Sequence, residues 1–88
     1  MSKKFAKFKL KYMSLLLSLK QELVQKYPNK VDRIELIIDT LMDKLHALKS
    51  HSFVDYMFTI YLASKEFAEF RKLIPTQEEV DEVLEEED

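Results

Sequence analysis

The chain has 88 residues, a hydrophobic share of 47% and a formal net charge of -2. A chain of this length buries only about 60 to 65% of its unfolded surface, so we expect one domain with a small stability margin. Cysteine is absent, which excludes disulfides, thiolate catalysis and thiolate metal sites and is compatible with a reducing cytoplasm.

The complete absence of glycine argues against β-hairpins and makes the helix the default element. We predict an all-α fold, a small bundle of three to four helices at about residues 2–26, 30–49, 53–74 and 77–86. Pro28 and Pro75 disfavour helical geometry at the residue before each of them and so place two boundaries. Residues 1–75 are expected to form a single helical domain with a basic N-terminal helix, and residues 76–88 an acidic C-terminal helix or tail.

The first predicted helix has one apolar face and one lysine-rich face. Lys3, Lys4, Lys7 and Lys11 fall together when successive residues are placed 100° apart. The segment FKLKY also alternates with a period of two, so a short strand at residues 8–12 is an alternative. The helix is favoured because apolar residues recur every three or four positions over a much longer stretch, at Phe5, Phe8, Tyr12, Leu16, Leu19, Leu23 and Tyr27.

Asn29 is the predicted cap of the second helix, and its side chain is expected to accept a hydrogen bond from the backbone N–H of Asp32. The polar side of this helix carries Asp39, Asp43 and His46 at spacings that suit a metal. An acidic stripe on a helix is more often solvated or paired with lysines, so we expect no metal site. Its apolar residues form a seam of the kind that packs against another helix, at Val31, Ile34, Ile38, Leu41, Leu45 and Leu48.

The third predicted helix opens with Ser52 as its cap and Asp55 three residues later, a spacing that resembles a capping box. The second and third helices each carry an apolar seam and are joined by a short link. This pattern predicts an antiparallel helical hairpin, with the first helix closing the core. The seam of the third helix consists of Phe53, Tyr56, Ile60, Ala63, Phe67, Phe70 and Ile74.

The first half of the third helix is apolar on a second side as well. Only Asp55 and Thr59 are polar between Phe53 and Leu62. A helix that is apolar nearly all round is either buried on every side or presents an interface. Either the first and fourth helices cover this second side, or it binds a second copy or another protein. The candidate interface residues are Val54, Met57, Phe58, Tyr61 and Leu62.

The last predicted helix is strongly acidic. Residues 76–88 hold eight acidic and no basic residues, whereas residues 1–30 hold eight lysines and one glutamate. Thr76 and Glu79 have the spacing of a capping box, and Val80, Val83 and Leu84 form a small apolar edge. A helix this short must dock or fray. One hypothesis is that it folds back over the N-terminal lysines and masks them until a partner displaces it.

The motifs that the sequence lacks exclude several functional classes. There is no glycine-rich phosphate loop, nucleophile elbow or triad pattern, so we expect a non-enzyme without a cofactor or a small-molecule substrate. No apolar run approaches the roughly 20 residues that cross a bilayer, so we expect a cytoplasmic protein without membrane insertion.

The favoured function is a non-catalytic interaction module, a self-associating helical regulator, adaptor or inhibitor that binds another protein. The alternative is a nonspecific nucleic-acid-binding or transcription-associated protein that uses its lysine-rich helix, although a solvated helix face is the simplest explanation of those lysines. The polyanion contacts would then be Lys3, Lys4, Lys7, Lys9 and Lys11.

Overall fold

The computed structural model describes residues 3–85, and this part of the chain is helical and contains no strand. The all-α prediction is confirmed, and the strand alternative at FKLKY is excluded. Ser2 and Glu86, the predicted ends of the first and last helices, lie outside the described residues. The four α-helices are α1 (Lys3–Lys26), α2 (Val31–His46), α3 (Phe53–Glu66) and α4 (Gln77–Glu85), and 3-10 segments occupy Pro28–Lys30, Ser50–Ser52 and Ala68–Leu73.

The helices α2 and α3 form the predicted antiparallel hairpin. Arg33 near the start of α2 pairs with Glu66 at the end of α3, with 2.8 Å between Arg33 Nε and Glu66 Oε2. Lys44 near the end of α2 pairs with Asp55 near the start of α3, with 2.6 Å between Nζ and Oδ2. The two pairs at opposite ends show that the helices run in opposite directions.

After α3 the chain reverses and runs back along α1. The segment after Phe67 first passes the C-terminal end of α1, and α4 then packs near the N-terminal end of α1. Together with α1, α2 and α3, this returning segment completes a bundle of four alternating segments. The pairs that show its direction are Lys26 with Glu69 at 2.7 Å, Glu22 with Lys72 at 3.1 Å and Lys11 with Glu79 at 2.6 Å.

The predicted apolar faces supply most of the core. On α1, every predicted face residue from Phe5 to Leu23 is buried, and Tyr27 is half-buried. On α2, the seam is buried except for Val31, which is half-buried, and Ile37 joins it. The helix α4 contributes Val80 and Val83, the residues through which it docks.

The third helix is shorter than predicted, because the chain leaves α-helical geometry at Phe67. This residue is extended, with φ -131° and ψ 106°, and residues 68–73 form 3-10 turns. Phe67, Phe70 and Leu73 are three residues apart, which matches the three residues per turn of a 3-10 helix, and all three are buried. Ile74, predicted to lie on the seam, is 43% exposed. The predicted continuous helix over 53–74 is thus replaced by α3 and a 3-10 segment.

The helix α2 begins within one residue of its predicted start, but the predicted cap is absent and the helix ends three residues earlier than predicted, at residue 46 instead of about 49. It begins at Val31, and no side chain caps it, because Asn29 lies inside the preceding 3-10 turn. After His46, the N–H of Leu48 still donates to the carbonyl of Leu45 at 3.2 Å, so the chain turns tightly and Leu48 remains buried.

Of the two predicted capping boxes, one is present and one is absent. At α4, the N–H of Glu79 donates to Thr76 Oγ1 at 3.1 Å, and the N–H of Thr76 donates to Glu79 Oε1 at 3.2 Å. At α3, Ser52 Oγ accepts from the N–H of Lys49 at 3.0 Å instead of capping the helix. The reason is that Ser52 closes the 3-10 turn that links α2 to α3, and Asp55 is left to form an ion pair.

The buried hydroxyl of Tyr56 offers a test of core energetics. Tyr56 is fully buried, its hydroxyl group has no hydrogen-bond partner within residues 3–85, and burial raises its pKa. We expect Tyr56→Phe to increase the free energy of unfolding by about 1 kcal/mol, because it removes an unsatisfied polar group from the core. Urea unfolding followed by circular dichroism measures this change.

The matched control is Tyr12→Phe, because the Tyr12 hydroxyl does have a partner. It donates to Glu79 Oε1 at 2.9 Å. We expect the free energy of unfolding of this variant to fall by about 1 kcal/mol, since a charge-assisted hydrogen bond is removed. Equal losses of stability in both variants would contradict the distinction between the two hydroxyl groups.

Candidate protein-interaction surface

One side of α3 faces away from the core and carries four apolar side chains. This α3 outer surface consists of Val54, Phe58, Tyr61 and Leu62, which are 78%, 56%, 47% and 52% exposed. The helix α4 packs on α1 instead of covering them, so the alternative in which other helices bury this side does not hold. Single exposed apolar residues are ordinary, but four on one side of a helix, two of them aromatic, form a patch that calls for an explanation.

The aromatic side chains of this patch are partly ordered by their neighbours. The rings of Phe58 and Tyr61 stack, with centroids 6.5 Å apart and an interplanar angle of 26°. The ammonium group of Lys65 lies 4.7 Å from the centroid of the Tyr61 ring, a cation–π arrangement. Such contacts restrict the two aromatic side chains before binding, so binding costs less side-chain conformational entropy. Met57, the fifth predicted interface residue, is half-buried and packs against the core, so it lies at the edge of the patch.

The helix α2 extends the patch across a shallow groove of about 270 Å³ between α2 and α3. Leu36 lies on the α2 side of this groove and is 56% exposed. Thr40 and Thr59, also in the lining, donate their hydroxyl protons to carbonyl groups of their own helices at 2.8 Å. Their hydroxyl protons therefore need no external acceptor, and the apolar part of the groove is formed by Leu36, Ile37, Leu62 and Ala63. The prediction missed Leu36, although it is visibly an apolar residue outside the α2 seam.

An ion pair joins α2 to α3 at each end of the helical hairpin, and the first of them lines one end of the groove. Arg33 and Glu66 form three hydrogen bonds of 2.8 to 3.0 Å at one end. The hydrogen bonds from Arg33 lower the pKa of Glu66. Lys44 and Asp55 form the pair at the other end. Exposed pairs of this kind contribute little stability, so their main effect is to set the charge around the patch.

The helix α4 folds back over part of the lysine-rich face of α1. Lys11 Nζ lies 2.6 Å from Glu79 Oε2, and Lys4 Nζ lies 4.0 Å from Glu82 Oε1. Val83 is buried beneath these pairs, against the part of α1 that carries Phe8. The acidic helix therefore covers part of the basic face, as one hypothesis from the sequence stated.

The other three candidate lysines have different surroundings. Lys9 Nζ donates to the carbonyl oxygen of His46 at 3.2 Å, across to the end of α2. Lys3 and Lys7 are exposed, and neither forms an ion pair with residues 3–85. Lys7 lines a cleft of about 360 Å³ between α1 and α4, which also contains the carboxylates of Glu79 and Glu82. These carboxylates oppose the binding of an anion while α4 is docked.

Glu79 connects α4 to α1 through several hydrogen bonds. Its carboxylate accepts from Lys11 Nζ, from the Tyr12 hydroxyl and from the backbone N–H of Thr76. These donors, Lys11 first, lower the pKa of Glu79. Burial, followed by the hydrogen bond to Glu79, raises the pKa of Tyr12. An ionised Glu79 therefore strengthens the contact between α1 and α4.

We expect the docking of α4 to weaken in acid. A carboxylate whose pKa is lower in the docked state stabilises that state above its ordinary pKa of 4.5, and the contribution is lost as pH falls below this value. Hydrogen exchange of the α4 backbone amides between pH 7 and pH 3 measures the docking. Glu79→Gln should dock more weakly at pH 7 and show a smaller pH dependence. An unchanged pH dependence in this variant would contradict the role of Glu79.

The structure also bears on metal sites and on membrane-spanning helices. Within residues 3–85, no group of three or more histidine and acidic side chains could hold a metal ion. Asp39, Asp43 and His46, the group weighed from the sequence, therefore form no such cluster. None of the helices described has the length and apolar character needed to cross a membrane.

A second apolar strip lies on α1 and was missed from the sequence. Leu10 and Leu17 are 69% and 53% exposed and lie outside the predicted apolar face of α1. Their spacing of seven residues, two helical turns, is the signal that could have revealed them. The strip is less extensive than the α3 outer surface, since it contains two exposed residues and neither is aromatic.

Comparison of the chain with protein-family models, curated proteins and solved structures gives no match.

Proposed function

We propose that this chain is a non-catalytic protein-interaction module, a small helical regulator, adaptor or inhibitor that acts by binding protein through the α3 outer surface. The observation that supports this function is an apolar, aromatic patch beside a groove on a molecule with a well-filled core. Interface centres are enriched in aromatic residues and surrounded by a polar rim. The ion pairs Arg33–Glu66 and Lys44–Asp55 supply such a rim.

The fold does not need this patch for its own stability. The core already contains buried residues from all four helices, and the four patch residues add little to it. An exposed apolar patch carries a risk of aggregation. A partner that covers the patch in the cell removes that risk and provides the reason for the patch.

Photo-crosslinking in the cells that produce the protein tests this proposal. A photoreactive phenylalanine analogue replaces Phe58, and in a matched control it replaces Gln25, which is exposed on α1. We expect a covalent protein adduct from position 58 that is absent from position 25. Adding Tyr61→Asp to the first chain should abolish the adduct. A position-58 chain that forms no adduct above the control would refute the proposal.

Nucleic-acid binding is the second candidate function, supported by the five lysines at one end of α1. The acidic helix α4 pairs with two of these lysines, so the basic face would act only when α4 is displaced. Deletion of residues 76–88 should then raise the affinity for random RNA at low salt by about tenfold or more, and added salt should reverse the gain. Lys7→Glu in the shortened chain is the control and should reduce binding. Equal, weak binding by the full and shortened chains would exclude this function.

A further inference from the structure

We infer that the occupant of the α3 outer surface is a second copy of this chain, with the two α3 helices packed antiparallel about a twofold axis between Phe58 and Tyr61. The inference rests on the proposed function and names the partner of the same surface. A twofold interface uses one patch twice, so the patch must be complementary to itself. The charges and aromatic rings of α3 meet this requirement.

The charges along α3 favour an antiparallel pair. Asp55 lies at one end of the exposed side and Lys65 lies ten residues later, about 15 Å along the helix. When the second copy is turned end to end, Asp55 of each copy approaches Lys65 of the other. When both copies run in the same direction, Lys65 faces Lys65 and the like charges repel. Opposite charges across an interface give specificity of this kind.

The two ion pairs that join α2 to α3 lie at opposite ends of this side of the molecule. One end carries Arg33 and Glu66, and the other carries Lys44 and Asp55. The twofold axis brings the first end of one copy to the second end of the other. Each of these ends carries one cation and one anion, so neither end brings a net charge to the interface. Because both signs are present at each end, the surface does not favour a strongly acidic or strongly basic partner.

The apolar centre is also complementary to itself. The proposed axis places Phe58 of one copy against Tyr61 of the other, so the stacked pair in each copy joins a cluster of four rings. The molecule measures 42 × 20 × 17 Å, and the α3 outer surface is only part of one long face. A standard interface buries about 800 Å² on each partner. A dimer of this size must use the groove and Leu36 as well as α3.

Sedimentation equilibrium tests the arrangement. The wild-type full chain is compared with variants at Tyr61, Asp55 and Lys65. We expect the wild-type chain to form a concentration-dependent dimer and Tyr61→Asp to remain a folded monomer. Lys65→Glu places like charges together and should weaken the dimer by about tenfold, because each change occurs twice. The double variant Asp55→Lys, Lys65→Glu should restore the affinity to within about threefold. Circular dichroism confirms that each variant is folded.

The outcomes separate this inference from the proposed function. A wild-type monomer at all concentrations up to about 1 mM overturns the second copy as partner. If the position-58 adduct then contains a different protein, the proposed function still stands. Binding of the monomer to phosphatidylglycerol vesicles would likewise overturn the inference. A dimer that is insensitive to Lys65→Glu, or that the double variant does not restore, overturns the antiparallel arrangement.

Discussion

Replacing Phe53 with alanine is expected to lower the free energy of unfolding by about 3 to 5 kcal/mol. Phe53 is 1% exposed and lies where the first turns of α1 and α3 meet. Its ring centroid is 5.2 Å from that of Phe8, 6.3 Å from that of Phe5 and 6.5 Å from that of Tyr56. The neighbouring rings belong to α1 and α3, whose backbones limit how far the rings can move into the space, so a cavity adds to the lost burial.

The matched control is Phe58→Ala, the same substitution five residues later on the same helix. Phe58 is 56% exposed, so its loss should change the free energy of unfolding by less than about 1 kcal/mol in the monomer. Urea unfolding at low protein concentration measures both variants. The total free energy of unfolding of a native protein is only about 5 to 15 kcal/mol. Phe53→Ala should therefore leave an appreciable unfolded fraction at 37 °C. Similar losses in both variants would contradict the described placement of the two rings.

Replacing Val83 with aspartate is expected to detach α4 from α1 while the rest of the bundle stays folded. Val83 is 3% exposed and lies in the contact between the two helices. An unpaired buried carboxylate is too costly to retain, so α4 should leave the surface instead. The free energy lost is then limited to that of docking α4, about 2 to 3 kcal/mol from the burial of its apolar side chains. Hydrogen exchange should show unprotected amides over residues 77–85 only.

The control is Leu84→Asp, a change to the next residue of the same helix. Leu84 is 42% exposed, so this variant adds the same charge without burying it. We expect α4 to remain docked and its amides to remain protected. Retained protection in Val83→Asp, or equal loss in both variants, would show that α4 does not depend on this apolar contact. The detached form would also expose the lysines of α1, which links this result to the test of nucleic-acid binding.

The parts of the fold that follow from local chemistry were predictable from the sequence. The three-four spacing from Phe5 to Leu23 placed the buried face of α1, because an α-helix brings such residues to one side. Pro28 and Pro75 restrict the residue before them, so the interruptions near them were predictable as well. Thr76 and Glu79 form their capping box because its hydrogen bonds join residues three apart in the chain. The patch residues Val54, Phe58, Tyr61 and Leu62 were also identified from the local excess of apolar side chains.

Only the tertiary structure decided where α3 ends and which side of it remains uncovered. Nothing in the local sequence at Phe67 forbids a helix, but a 3-10 segment buries Phe67, Phe70 and Leu73 together while the chain turns back along α1. This reversal carries α4 to the lysines of α1 and away from α3. The α3 outer surface is thus exposed because α4 packs on α1 and not on α3. Periodicity identifies apolar sides of a helix, whereas burial depends on which element packs against each side.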